Sequence, residues 1–130
     1  MNASLHQTLL MVRDLDASVE FYRDVVGIET AEESDTNVEF DTGDATLVLE
    51  SDFGPEVLDA FGLDEPGEER GRGVIVAVDV GDPDAVDAVE DRAVDAGADV
   101  RMGPRDVDWG RRMMLVADPD GYTVEVSAPR

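Results

Sequence analysis

The sequence predicts an α+β fold in which two β-α-β-β-β modules form a half-open mixed β barrel with helices outside. Three observations carry this. A strand-like run followed by a capped amphipathic helix occurs twice, at residues 5–27 and 73–97. Each is followed by short alternating runs separated by turn residues. Between them lies a stretch rich in Gly, Pro and charge that reads as a connector. The chain is one domain of 130 residues, with a first module over 1–52, a connector over 53–71 and a second module over 72–130.

In chain order, LHQTLLMV (5–12) is a strand candidate. DASVEFYRDVVG follows, with Val19, Tyr22, Val25 and Val26 at helical spacing and Phe21 alongside. Asp16 or Ser18 is the expected N-cap, and Gly27 the C-terminal stop. IETAEES, NVEFDT and ATLVLE are three strand candidates, the last two joined by Thr42-Gly43-Asp44 as a hairpin. In the connector, PEVLDAF suits one helical turn with Val57, Leu58 and Phe61 packed down. GVIVAVDV (73–80) opens the second module. Pro83 suits the first turn of the next helix, Val86, Val89, Ala93 and Val94 form its stripe, and Gly97 ends it. ADVRM is a short strand, GPRDVDWG a loop, and RRMMLVA and YTVEVSA a strand pair. Asp118-Pro119-Asp120-Gly121 joins that pair, with Pro119 setting φ and Gly121 permitting a positive one. Strand alternation then sorts each strand into helix-facing and cavity-facing residues.

Composition narrows the chemistry. There is no cysteine, so disulfides, thiolate metal sites and cysteine nucleophiles are excluded. A single histidine, His6, leaves no base for a serine nucleophile. Apolar residues make up 42% of the chain, within the globular range. No apolar run approaches the ~20 residues of a membrane span, and the start lacks a signal-peptide pattern. The expected location is cytoplasmic, without membrane attachment. Thirty-two acidic residues stand against ten basic ones, all arginine, for a net charge of −22. A field of this sign repels nucleic acid. The carboxylates follow solvent faces along the whole chain, which reads as a halophilic, acidic surface built for molar salt, where the Debye length falls to ~3 Å.

HQTLLMVRDLDASVEFYRDVVGIE, the Trp109-Gly110-x-Arg112 pattern and DPDGYTVEV together resemble the vicinal oxygen chelate superfamily. That group includes glyoxalase I, bleomycin-resistance proteins, fosfomycin-resistance enzymes, methylmalonyl-CoA epimerase and extradiol dioxygenases. The resemblance covers nearly the whole chain and implies the same paired-module fold, a small-molecule ligand held between the modules, and a homodimer.

It also implies four cavity-facing positions that hold a metal in many members. The first falls on Gln7, five residues before Val12, with His6 expected to face the other way. The second falls on Val48 or Glu50, of which only Glu50 suits an ion. The third falls on Gly73 or Ile75, neither of which binds metal. The fourth falls on Glu125, four residues past the DPDG glycine. Gln7, Glu50 and Glu125 thus remain as an all-oxygen set, suited to a hard divalent metal ion. Without the two histidines such a site needs, an extradiol Fe(II) centre is not expected.

Glu125 has three readings: a metal ligand, a carboxylate binding a polar or cationic ligand, or a structural residue partnered by Arg112. Gln7, Glu50, Trp109, Arg112 and Glu125 are the candidate ligand-binding residues. Trp109 suits a lid or stacking wall, and Phe53 and Phe61 a cavity closure. Met102, Met113 and Met114 suit either a soft pocket wall or core. Two functions follow. One is small-molecule binding resembling the bleomycin-resistance branch, with a degenerate metal site. The other is a metal-dependent lyase or isomerase resembling glyoxalase I, in which an ion polarises adjacent substrate oxygens and a carboxylate shuttles the proton. The missing histidine favours the first, and the reacting groups are left unassigned.

The acidic surface makes a direct prediction. The melting temperature is expected to rise between dilute buffer and molar KCl, followed by circular dichroism; a flat or falling value removes the molar-salt reading.

Overall fold

The computed structural model describes residues 2–130. Its elements run β1 (Gln7–Val12), α1 (Leu15–Glu20), a π-helical stretch (Phe21–Val26), β2 (Thr30–Glu33), β3 (Asn37–Phe40) and β4 (Thr46–Ser51). Then come α2 (Pro55–Phe61), β5 (Ile75–Asp79), α3 (Pro83–Asp95), β6 (Asp99–Val107), β7 (Arg111–Ala117) and β8 (Thr123–Pro129). Two four-stranded sheets result, ordered β1-β4-β3-β2 and β5-β8-β7-β6. In each, the first strand runs parallel to the last of its module and the other pairs are antiparallel. The expected paired-module architecture is therefore present, with the sheets left unclosed.

Local chemistry explains most element ends. Asp14, not Asp16 or Ser18, caps α1: it is extended and its carboxylate accepts from the Ala17 amide at 3.1 Å. Asp82 caps α3 in the same way, with Pro83 in the first turn as expected. The first helix does not stay α-helical. The Gly27 and Ile28 amides both donate to the Tyr22 carbonyl, and the widened turn buries Phe21, Tyr22, Val25 and Val26 together. The Arg92 guanidinium of α3 donates to the Val25 carbonyl at 2.9 Å, pinning one module's helix to the other's.

Three expectations are corrected. GPRDV belongs to β6 and is not a loop; β6 is the edge strand, bulged on either side of Met102, where Pro104 leaves no central ladder bond unmade. PEVLDAF forms a seven-residue helix that buries Leu58 but leaves Phe61 65% exposed. Val94 is exposed, because Val86, Val89 and Ala93 already span the α3 face that meets the sheet.

One core joins both modules within the chain: Leu10, Val12, Tyr22, Phe40 and Leu49 of the first meet Val86, Val89, Met114, Val124 and Val126 of the second. The DPDG turn is its polar counterpart. The buried Asp118 carboxylate accepts from the Asp120 and Tyr122 amides and from the Tyr22 hydroxyl at 2.7 Å. Burial pushes both Tyr22 and Asp118 above their ordinary pKa values. Asp120 accepts from the Arg13 amide and lies 3.4 Å from Arg70. The buried Arg70 forks onto Asp52 with two 2.7 Å bonds and donates to the Met11 carbonyl. Gly71 then crosses Tyr122 so closely, at φ +79, that a side chain there would strike the ring.

Two consequences can be measured. Arg70→Ala leaves Asp120 buried with one cation fewer, so a stability loss of about 3 kcal/mol is expected in denaturant unfolding in molar KCl. The Arg70 hydrogen bonds also hold the Asp52 carboxyl below its usual range. Its stabilisation is therefore complete above the unfolded value of about 3.9 and is lost as pH falls through the lower folded value. That acid-limb loss should shrink in Arg70→Ala; an unchanged limb assigns it to other carboxylates.

Candidate functional site

The helices cover one face of both sheets, and the other face carries residues of mixed exposure, with Val48, Met113 and Ser127 buried on it. On β1 the buried Leu10 and Val12 point to the helices, so Gln7, Leu9 and Met11 occupy the inner face. The same alternation assigns Val48 and Glu50 of β4, Ile75, Ala77 and Asp79 of β5, and Glu125 and Ser127 of β8 to that face. The seam between the sheets is oriented by two contacts. The Tyr122 hydroxyl donates to the Met11 carbonyl at 3.0 Å, and Thr123 pairs with Ile75. The exit of β1 thus lies near the entry of β5. A groove of about 360 Å³ follows the seam, lined among others by Leu5, Thr8, Thr46, Val74 and Val76. A larger crease of about 870 Å³ lies between the end of the π-helical stretch, β5 and α3. None of the five candidate residues lines either recess.

Glu125 sits mid-strand, opposite Ala77 on one side and Leu115 on the other. The Ser127 hydroxyl lies 3.4 Å from its Oε2. Arg111 donates to Ser127 Oγ at 3.0 Å and to Asp79 at 2.8 Å. The inner face of the second sheet therefore carries a chain of contacts from Asp79 through Arg111 and Ser127 to Glu125. The sequence reading missed both Arg111 and Ser127. Arg112, expected beside Glu125, lies on the opposite face, where its guanidinium bonds Asp87 of α3 at 2.8 and 3.1 Å and Asp106 at 3.2 Å. Those bonds hold Asp87 below its ordinary pKa. RRMMLVA is apolar on both faces, so nothing in its pattern told which arginine points inward.

Glu50 stands opposite Met11 and Asn37, and its Oε2 is buried with no hydrogen-bond partner. Gln7 stands opposite Thr46 at the other end of the same ladder and is exposed. Four residues separate the two positions, about 13 Å along the strand. His6 is exposed just before β1. Trp109 is 67% exposed at the tip of the β6–β7 hairpin, which gives no support to a lid role in this conformation. The methionines divide: Met114 is core, while Met113 and Met102 belong to the inner-face set, with Met113 opposite Ser127 and Met102 opposite Leu115. Phe53 and Phe61 stack edge to face at 5.8 Å over α2.

A metal ion of the expected kind does not fit these donors. Among the described residues no three His, Cys, Asp or Glu side chains are grouped to hold one. Ligand atoms must converge within about 2.0–2.6 Å of an ion, whereas Gln7 and Glu50 lie at opposite ends of β1 and β4. Ile75 presents hydrocarbon at the third position. The orphaned Glu50 oxygen calls for a hydrogen-bond donor or cation instead.

No helix among the described residues is long and apolar enough to cross a membrane. No curated protein matches the chain. Solved structures do. A glyoxalase-related enzyme from Fulvimarina pelagi superposes with a TM-score of 0.80 at 21% identity, covering 96% of this chain and 87% of that one. A glyoxalase/bleomycin resistance protein/dioxygenase from Nocardioides gives 0.73 at 26% identity, with 99% and 85% covered. A lactoylglutathione lyase from Agrobacterium tumefaciens gives 0.70 at 26% identity, with 98% and 95% covered. The profile of the Glyoxalase/Bleomycin resistance protein/Dioxygenase superfamily matches residues 4–126, and with the two unclosed sheets of repeated modules this places the chain in that superfamily.

Proposed function

We propose that this protein binds a small polar molecule on its inner face, in the manner of the bleomycin-resistance branch, without a resident metal ion. The observation that carries this is the scatter of the donors: Gln7 and Glu50 stand at opposite ends of one ladder, and Ile75 supplies no ligand atom. What remains suits hydrogen bonding to a ligand. Glu50 offers an unmatched buried oxygen. Glu125 sits at the centre of its sheet with no arginine bonded to it. Leu9, Ile75 and Leu115 give apolar wall between them. In this reading the protein works in the cytoplasm as a homodimer.

A metal-dependent lyase is the second reading, favoured by the 26% identity to the Agrobacterium tumefaciens lactoylglutathione lyase. Metal content separates the two. Wild type and Glu125→Gln are purified side by side in molar KCl without chelators, so that nonspecific ions on the acidic surface cancel. Equal trace metal in both is expected. Near-stoichiometric metal in wild type that vanishes in the mutant overturns the metal-free reading and moves the search to hemithioacetals and epimerisable acyl substrates.

Light scattering in molar KCl reads the assembly directly, with twice the chain mass of 14.0 kDa expected. A chain-mass particle at all concentrations removes the homodimer.

A further inference from the structure

The arginines distribute unevenly. Thirty-two carboxylates surround ten arginines, so nearly every guanidinium should find a partner. Arg13, Arg23, Arg70, Arg72, Arg101, Arg111, Arg112 and Arg130 all form ion pairs, and Arg92 bonds the Val25 carbonyl. Among the described residues, the Arg105 guanidinium alone has neither an ion pair nor a hydrogen bond to the protein, and Arg105 is exposed on the edge strand.

Its position gives this meaning. Arg105 pairs directly with Met113, and Met113 with Ser127, which stands beside Asp79. Directly opposed residues point to the same face. Arg105 therefore belongs to the inner face, in the same cross-strand row as the Arg111 anchor points. The next position, Asp106, confirms the alternation: it meets Arg112 on the helix-covered side. Met113 and Leu115 separate Arg105 from Glu125 with apolar surface.

We propose that Arg105 is an anion-binding residue of the inner face, and that the ligand is an amphiphilic small molecule bearing a carboxylate, sulfonate or phosphonate group. This rests on the inner face being the binding surface. The anionic group meets Arg105. The apolar body lies against the half-buried Met102 and Leu115 of the neighbouring row. Asp79 and Ser127 already hold Arg111, which leaves Arg105 with its full fork of donors for the incoming group. In molar salt the overall negative field is screened within ~3 Å, so the local arginine and not the net charge decides which ligand is held.

Two dyes that differ by one sulfonate test this: 8-anilinonaphthalene-1-sulfonate and uncharged N-phenyl-1-naphthylamine. Both are titrated by fluorescence in molar KCl into wild type, Arg105→Gln, Arg105→Lys and the outer-face control Arg23→Gln, with circular dichroism to verify folding. Wild type is expected to bind the sulfonate about tenfold more tightly than the neutral dye. Arg105→Gln should lose that preference while keeping the neutral dye's affinity. Arg105→Lys should keep part of it, and Arg23→Gln all of it. Binding of both dyes with equal affinity to wild type, or a sulfonate preference unchanged in Arg105→Gln, overturns the anion site and leaves the inner-face reading standing. Failure of both dyes to bind wild type overturns the anion site and the inner-face reading with it.

Discussion

Two carboxylates buried in one four-residue turn hold this molecule in register. Asp118 ties its own turn to Tyr22 of the first module, and Asp120 ties it to Arg13 and Arg70. Neither residue could be buried as an anion without such partners, since an unmatched buried carboxylate costs several kcal/mol. The partners come from the exit of β1, the first helix and the connector, so the charges are satisfied only when all of these meet. Hydrophobic burial drives the modules together but is indifferent to small sliding. The hydrogen-bonded turn is not, and it sets where the end of β1 lies relative to the start of β5. The inner face inherits its geometry from that constraint.

Much of this was legible in the sequence because it is local. Pro83 in the first turn of α3, glycines after helices, hairpin turns and the periodicity of α3 each act within a few residues. The repeated module pattern then left few ways to pair the strands. The errors have local causes too. Pro104 argued against a strand, yet the edge position removes the objection. Val94 looked like part of the stripe because helical spacing tolerates a neighbour on either side, and only the sheet's position settles which side is wet.

The site was less legible because it depends on register and facing. Glu50 and Gln7 belong to strands that pair in parallel, and no turn links β1 to β4 to fix their offset. Sequence alone therefore could not show that the two stand at opposite ends of one ladder. Arg111 and Arg112 are adjacent and chemically identical, and the flanking MMLVA is buried on both faces, so the alternation that usually separates them is silent. Arg70 was hidden differently: it lies in a charged connector whose composition suggests solvent, and only the meeting of three distant segments buries it.

The contrast between surface and inner face bears on how such a protein can recognise anything. A chain of net −22 repels anions and collects cations indiscriminately at low ionic strength. Specific recognition of a cation would have to rise above that background, and Glu50 and Glu125, the inner-face carboxylates without an arginine partner, add little to it. An arginine without a partner is the opposite case. Among thirty-two carboxylates it is the rarer feature, and it acts against the prevailing field only where salt has screened that field. High salt would relieve the repulsion among the surface carboxylates, and short-range hydrogen bonds rather than the net charge would then govern any contact at the inner face.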